Sequence, residues 1–286
     1  MKVGPVIKEL RRNKKLTAIY LYKDILSRTA SVRFEKGLSD TSTEKFFIML
    51  ERLNITLEEF HFSLRKNENT DFHFFEQLKN SFYNQDHQGL YELKQQLNIN
   101  YQKTKNIKFY HYYIIVGNIL NELTKQPNDE NQIKIIRDYL IDCESWGYYE
   151  LVLFSNTINF YSEEIIDVVF KRAKNQFITY GKIRRYKNEL AFLIMNILEI
   201  LIRGNNLNSA RLYYKELIDL QSSNIDIMYI TIMIKYFGEL IKLMENKHKQ
   251  CCYNSIEKMI DIFDYLDLHG KKNQCLLLYK YVKEQK

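Results

Sequence analysis

The chain of 286 residues contains only two prolines and nine glycines. Both residue types interrupt helices, so their scarcity favours a mostly α-helical protein. No apolar run reaches the roughly eighteen residues that a membrane span requires. The segment Met1–Arg12 also lacks the apolar stretch of a signal peptide. The sequence therefore predicts neither a membrane span nor secretion.

Cysteine is also scarce, and the four cysteines lack the Cys-x-x-Cys spacing of redox and metal motifs. They are Cys143, Cys251, Cys252 and Cys275. Adjacent cysteines such as Cys251 and Cys252 rarely pair with each other. We therefore expect reduced thiols and a cytoplasmic protein.

Motifs that carry catalytic chemistry are missing. The six histidines are scattered without the His-Glu-x-x-His spacing of a zinc site. The sequence contains no glycine-rich phosphate loop and no Gly-x-Ser-x-Gly nucleophile elbow. We therefore predict that the protein is not an enzyme and that it uses neither a metal nor a cofactor.

Positive charge is concentrated at the amino-terminal end. The net charge is +7, and residues 1–66 alone hold 14 Lys and Arg against 8 Asp and Glu. The remaining 220 residues are close to neutral. A basic segment of this size is typical of a module that binds nucleic acid.

The same segment contains the pattern of a helix-turn-helix within a five-helix domain. We predict a first helix from about Gly4 to Asn13 and a second that begins at the N-cap Thr17. A third begins at the N-cap Ser27 and ends before Gly37. A fourth begins at Ser42 or Thr43 and a fifth follows it. The second and third helices form the helix-turn-helix. In such a motif the later helix, here the third, enters the DNA major groove.

Eight residues are predicted to contact DNA. Residues at the start and on the outer face of the third helix are placed against base edges, because arginine can donate two hydrogen bonds to guanine. Basic residues before the second helix are placed against phosphates. The set is Arg12, Lys14, Lys15, Thr17, Arg28, Thr29, Ala30 and Arg33. Phe34 and Val32 are predicted to point inward, and Glu35 to pair with an arginine.

Beyond a polar junction at Arg65–Asp71, the sequence predicts long helices with short polar breaks. The predicted helices are near 71–83, 87–98, 104–124, 130–145, 148–160, 162–178, 183–203, 206–221, 225–246, 249–268 and 271–284. Paired helices of this length are typical of tetratricopeptide-like repeats, and an irregular bundle is the alternative. We therefore predict an all-α chain with a helix-turn-helix domain at 1–65 and a helical-repeat domain at 71–286.

Several motifs along the chain form a recognisable set. They are Lys15-Leu16-Thr17, Ser27-Arg28-Thr29, Phe34-Glu35-Lys36-Gly37 and Trp146-Gly147-Tyr148-Tyr149-Glu150-Leu151, with Gly4 and Arg11 before them. Together they resemble those of the Rgg/MutR regulators of Gram-positive bacteria, a part of the XRE-like group. Two positions depart from the pattern. Ala18 replaces a glutamine that normally contacts DNA, and Asp24 replaces the glycine of the turn, where aspartate tolerates a left-handed backbone.

The resemblance implies a homodimeric regulator that binds operator DNA and a short signalling peptide. The peptide is expected on the concave face of the helical domain, where asparagine side chains can bind its backbone. The residues assigned to it are Asn156, Asn159, Arg185, Tyr186, Asn196, Tyr229 and Met233. The alternative is a helical-repeat interaction protein whose helix-turn-helix binds DNA weakly, which the loss of glutamine at Ala18 would favour.

Overall fold

The structure is a computed structural model that describes residues 2–64, 71–180, 184–221, 228–247 and 249–285. In these ranges it contains sixteen α-helices, one 3-10 helix and no strand. The predicted all-α class is therefore confirmed. None of the helices described is long and apolar enough to cross a membrane.

The chain divides into two compact units, Met1–Glu76 and Gln77–Lys286. The first contains the five helices that the sequence predicted. Their bounds are α1 Val3–Asn13, α2 Ala18–Tyr22, α3 Arg28–Glu35, α4 Thr43–Leu53 and α5 Leu57–Leu64. A sixth helix, α6 Asp71–Tyr83, crosses the boundary between the units.

Hydroxyl groups cap α2, α3 and α4 as predicted. The Oγ atoms of Thr17, Ser27 and Ser42 each accept a hydrogen bond from the backbone amide three residues later. These bonds satisfy amides that have no acceptor within the helix. Asp24 in the turn has a φ of 60° and Gly37 after α3 has a φ of 67°. Both left-handed positions agree with the sequence interpretation.

The core of the first unit joins α1, α2, α3 and α4. Ile7, Leu21, Phe34, Met49 and Leu53 are all buried in it. Helices α1 and α3 approach so closely that a Cβ atom on Gly4 would lie 1.7 Å from the Phe34 carbonyl oxygen. Glycine at position 4 is therefore required by the contact between the two helices.

The described part of the second unit contains ten further α-helices and the 3-10 helix Ile158–Phe160. They are α7 His87–Thr104, α8 Ile107–Thr124, α9 Glu130–Asp142, α10 Tyr148–Thr157, α11 Glu163–Tyr180, α12 Arg184–Arg203, α13 Leu207–Gln221, α14 Met228–Met244, α15 Lys249–Tyr265 and α16 His269–Glu284.

The break predicted at Asn98–Lys103 is wrong, because α7 continues to Thr104 and ends at Lys105 in a left-handed conformation. Asparagine has a low helix propensity, which suggested the break. Packing against α8 outweighs that preference, because the Tyr101 ring near the end of α7 stacks on Tyr110 of α8 with 5.0 Å between the ring centroids.

Helices adjacent in sequence pack together from α7 to α10 and from α11 to α16, and α10 packs mainly against α12. Helix α12 has the most partners, since it contacts α10, α11, α13, α14 and α16. Its residues Leu193, Ile197 and Leu198 are fully buried. This order of contacts is that of a helical-repeat domain with α12 at its centre.

The Trp146-Gly147-Tyr148-Tyr149-Glu150-Leu151 segment has a local structural role. The Trp146 ring is buried, and its Nε1 donates a hydrogen bond to the Leu140 carbonyl at 3.3 Å. The Glu150 carboxylate accepts hydrogen bonds from the Gly147 amide at 2.7 Å and from the Tyr139 hydroxyl at 2.6 Å. The segment thus starts α10 and holds it against α9.

Candidate functional site

Five exposed side chains form one face of α3. A helix turns by about 100° per residue, so Arg28, Thr29, Val32, Arg33 and Lys36 fall within one continuous arc. Ser31 and Phe34 are buried on the opposite side. We call these five residues the recognition face. Three of them are cationic, as expected of a helix that enters a DNA groove.

Val32 is 48% exposed, so the prediction that it points inward is wrong. Its apolar character suggested burial, but the helical turn places it beside Arg28 and Thr29, away from Phe34. Ala30, in contrast, is half-buried and lies on the Phe34 side of α3.

The other residues predicted to contact DNA lie around the start of α2. Arg12, Lys14 and Lys15 are exposed at the end of α1 and just after it. Thr17 is exposed, and its hydroxyl caps α2 by accepting from the Tyr20 amide at 3.1 Å. Lys15 has a φ of 56°, which turns the chain between the two helices.

A partly buried ion pair fixes α3 against α1. Arg11 Nε and Nη2 donate hydrogen bonds to the two carboxylate oxygens of Glu35, at 2.7 and 3.1 Å. The Tyr22 hydroxyl also donates to Glu35, and Arg11 donates to the Leu16 carbonyl. The prediction that Glu35 pairs with an arginine is confirmed, although its partner lies 24 residues away. The network therefore joins all three helices of the helix-turn-helix region.

Burial of the Glu35 carboxylate alone would raise its pKa. Hydrogen bonds from Arg11 and Tyr22, together with the positive charges of Arg11 and Lys8, outweigh that effect and hold the pKa below its usual value. Glu35 is therefore ionised at neutral pH, and the ion pair is intact there.

Arg52 is a further positioning residue that the sequence interpretation missed. Its guanidinium Nη1 donates hydrogen bonds to the carbonyl oxygens of Leu21 and Lys23, at 3.0 and 2.6 Å. Helix α2 has only five residues and leaves these carbonyls without a helical partner. Arg52 thus ties α4 to the carboxyl end of α2.

The second unit contains a cavity of about 710 Å³. Its walls come from the ends of α6 and α8, from α10 with the 3-10 helix, and from α12 and α16. Several polar side chains line it: Glu122, Ser155, Asn159, Asn196, Asn273 and Gln274. Apolar contributions come from Phe82, Leu123, Ile158, Ile200 and Leu277. The mixture suits a ligand with both amide and apolar groups.

Two of the residues assigned to peptide binding, Asn159 and Asn196, lie on the walls of this cavity. Asn196 Nδ2 donates to Ser155 Oγ at 3.0 Å, which orients the amide. Asn156 is exposed, lies outside the cavity wall and donates to the Val152 carbonyl within its own helix.

The remaining assigned residues have structural contacts. The Tyr186 hydroxyl accepts a hydrogen bond from the Tyr148 amide at the start of α10. Met233 is buried, with 1% of its surface exposed, and Tyr229 packs against Phe192. The side chain of Arg185 lies outside the residues that the structure describes.

A charged group at the cavity joins α12 to α16 and was missed from the sequence. Glu199 accepts hydrogen bonds from Arg203 at 2.9 Å and from Gln274 at 3.0 Å. The Tyr281 hydroxyl donates to the Arg203 carbonyl at 2.6 Å. Glu199 and Gln274 are 75 residues apart in sequence, so no local sequence pattern indicates this contact.

The sequence of residues 91–276 matches the family described as "HTH-type transcriptional regulator Rgg, C-terminal domain". This chain belongs to the Rgg family. The match lies entirely within the second unit, and it confirms the resemblance found in the sequence motifs. The Rgg family is one of transcriptional regulators, not of enzymes.

Solved structures share the fold over nearly the full length of this Rgg protein. A candidate transcriptional regulator from Listeria monocytogenes EGD-e is 23% identical, with a TM-score of 0.84 over 99% of this chain and 98% of that one. The Streptococcus dysgalactiae SHP pheromone receptor Rgg2 is 20% identical, with a TM-score of 0.75 over all of both chains. PrgX in complex with cCF10 is 18% identical, with a TM-score of 0.71 over 98% of this chain and 99% of that one.

Among the residues described, no group of His, Cys, Asp and Glu side chains is placed to hold a metal ion. The four cysteines are all free thiols. Burial raises the pKa of the Cys275 thiol to about 11, which keeps it protonated at neutral pH.

Proposed function

We propose that this protein is a homodimeric DNA-binding transcription regulator that acts in the cytoplasm and is controlled by a short peptide. Residues 1–65 form the DNA-binding domain, and residues 71–286 form the domain for peptide binding and dimerisation. The observation that carries the proposal is the cationic recognition face of α3 in a chain of the Rgg family.

The DNA-binding part rests on exposure and charge. Arg28 and Arg33 are exposed on α3, where each guanidinium can donate two hydrogen bonds to a guanine edge. Thr29 adds a hydroxyl and a methyl group. The DNA phosphates are contacted by Arg12, Lys14 and Lys15. The amino-terminal end of α2, at Thr17, lies beside the sugar-phosphate backbone of the DNA. A symmetric dimer then binds two half-sites of a palindromic operator.

The peptide-binding part rests on the chemistry of the cavity. Asn159 and Asn196 each offer an amide that can pair with a peptide backbone, while Ile200 and Leu277 offer apolar contact. The solved structures of similar fold include the SHP pheromone receptor Rgg2 and a bacterial peptide pheromone/receptor complex. We include Asn156, Arg185, Tyr186, Tyr229 and Met233 in the wider proposed site.

The proposed DNA binding is tested by measuring how the wild-type protein binds DNA from upstream of its own gene. If Arg12, Lys14 and Lys15 of both subunits contact about six phosphates, raising salt from about 50 to 200 mM should weaken binding roughly a thousandfold. Gel shift with excess competitor DNA measures this loss. Absent binding, or binding without salt dependence, would favour the helical-repeat interaction protein that Ala18 suggests.

The proposed peptide binding is tested by calorimetry with short apolar peptides that are encoded beside the gene. Asn196→Ala should weaken binding about tenfold, because one peptide hydrogen bond is worth about 1–1.5 kcal/mol. Asn159→Ala should have a similar effect. Asn175→Ala is the matched control, since Asn175 is exposed on α11 and does not line the cavity.

Equal binding by wild type, Asn159→Ala and Asn196→Ala would place the peptide elsewhere. Thermal unfolding of each variant separates lost contact from lost structure, because Asn196 also bonds to Ser155.

A further inference from the structure

The recognition face has one aliphatic side chain in the middle of its polar residues. On a helical projection, Val32 lies about 40° from Arg28 and about 60° from Thr29, and Lys36 follows one turn later. Val32 is 48% exposed, whereas Phe34 two residues later is 1% exposed. Any nucleic acid that contacts Arg28 and Thr29 together therefore covers Val32 as well.

The valine side chain can make only apolar contacts, so the part of the base pair that lies against it must also be apolar. In the major groove, thymine presents a C5-methyl group, the only methyl group among the edges of the four unmodified bases. Cytosine presents an amino donor and guanine presents two acceptors. Covering these with a valine would remove them from water without a partner, which is unfavourable.

Helix stability does not explain a valine at this position. β-Branched residues lower helix propensity relative to alanine, and an exposed valine gains little from burial within the subunit. Contact with a ligand that covers the recognition face would stabilise the valine, because the valine methyl groups are then removed from water.

We infer that Val32 is a specificity-determining residue that contacts the C5-methyl group of a thymine between the bases contacted by Arg28 and Thr29. The inference rests on the proposed DNA-binding function. It assigns an A·T base pair to one position of each half-site, where the arginines alone would leave the base unspecified.

The test uses the full-length protein and an operator that it selects from a random-sequence DNA library. Each thymine of a half-site is replaced in turn by deoxyuridine, which removes only the C5-methyl group. At one position of each half-site the wild type should bind about fourfold more weakly, the value of one buried methyl group. Val32→Ala should bind thymine and deoxyuridine equally at those positions.

Two controls make the result specific. Leu57→Ala removes a side chain of similar exposure, 53%, from α5 and should retain the full deoxyuridine effect. Replacing the T·A pair by 5-methylcytosine·G should be tolerated better by the wild type than replacement by unmethylated C·G, and equally by Val32→Ala.

The inference is overturned if the wild type selects a defined operator and every deoxyuridine substitution affects wild type and Val32→Ala alike. That outcome leaves DNA binding intact. If the wild type enriches no sequence at all, the proposed function fails and the assignment of Val32 fails with it.

Discussion

Replacing Glu35 with alanine is expected to unfold the five-helix unit while the second unit stays folded. The substitution leaves the Arg11 guanidinium, whose side chain is 12% exposed, without its carboxylate partner. The hydroxyl of Tyr22, itself buried, loses the same acceptor. Because the pair is partly buried, removing one member is expected to cost about 3 kcal/mol of unfolding free energy, the lower end of the range for buried pairs. A small domain has little more stability than that to lose.

Hydrogen exchange read by mass spectrometry on the whole chain measures the effect unit by unit. Peptides from α1, α2 and α3 should exchange much faster in Glu35→Ala, and peptides from α12 to α16 should not change. Glu51→Ala is the matched control, since Glu51 is exposed on α4. Unchanged exchange in Glu35→Ala would show that the pair does not stabilise the unit.

Lowering the pH should also destabilise the five-helix unit of the wild type. The pKa of Glu35 is lowered from its ordinary value of 4.5 in the folded chain, so folding favours the ionised form. Its stabilising contribution is therefore complete above the unfolded pKa and is lost as pH falls through the lower folded pKa. Glu35→Gln should lack this part of the pH dependence, which an exchange series between neutral pH and pH 3 would reveal.

The double variant Arg28→Ala, Arg33→Ala is expected to lose sequence-specific DNA binding while remaining folded. Each arginine is exposed on the recognition face and each bidentate contact to guanine is worth about 1–3 kcal/mol. Together they represent roughly a hundredfold or more in operator affinity, since about 1.4 kcal/mol corresponds to tenfold. Fluorescence anisotropy with the selected operator and with a scrambled duplex measures both affinity and specificity.

Arg12→Ala provides the contrast for that experiment. As a phosphate contact, Arg12 should contribute to operator and scrambled DNA alike, so its loss weakens both and keeps their ratio. If the double variant retains the wild-type ratio of the two affinities, α3 does not recognise base sequence.

Local signals predicted the local structure well. Thr17, Ser27 and Ser42 cap helices through bonds to amides three residues away, so the residues that determine each helix start are adjacent in sequence. Val32 shows where such reasoning fails. Its apolar side chain suggested burial, but which side of α3 is buried depends on where α1 and Phe34 lie.

Contacts between distant residues could not be predicted in the same way. The cavity brings Glu122 of α8 together with Leu277 of α16, and Arg203 with Gln274. Asn159 and Asn196, which the family resemblance assigned to one surface, both line this cavity. Asn156 resembles them in sequence, yet its amide bonds to its own helix.

The all-α class, most of the helix starts and the basic amino-terminal domain could be predicted from composition or from interactions within about four residues along the chain. The family of regulators was recognised from the resemblance of longer motifs. The pairing of Glu35 with Arg11, the exposure of Val32 on the recognition face and the shared cavity of Asn159 and Asn196 became evident only in the folded chain. Burial and pairing across tens of residues depend on how whole helices pack, which no local pattern encodes.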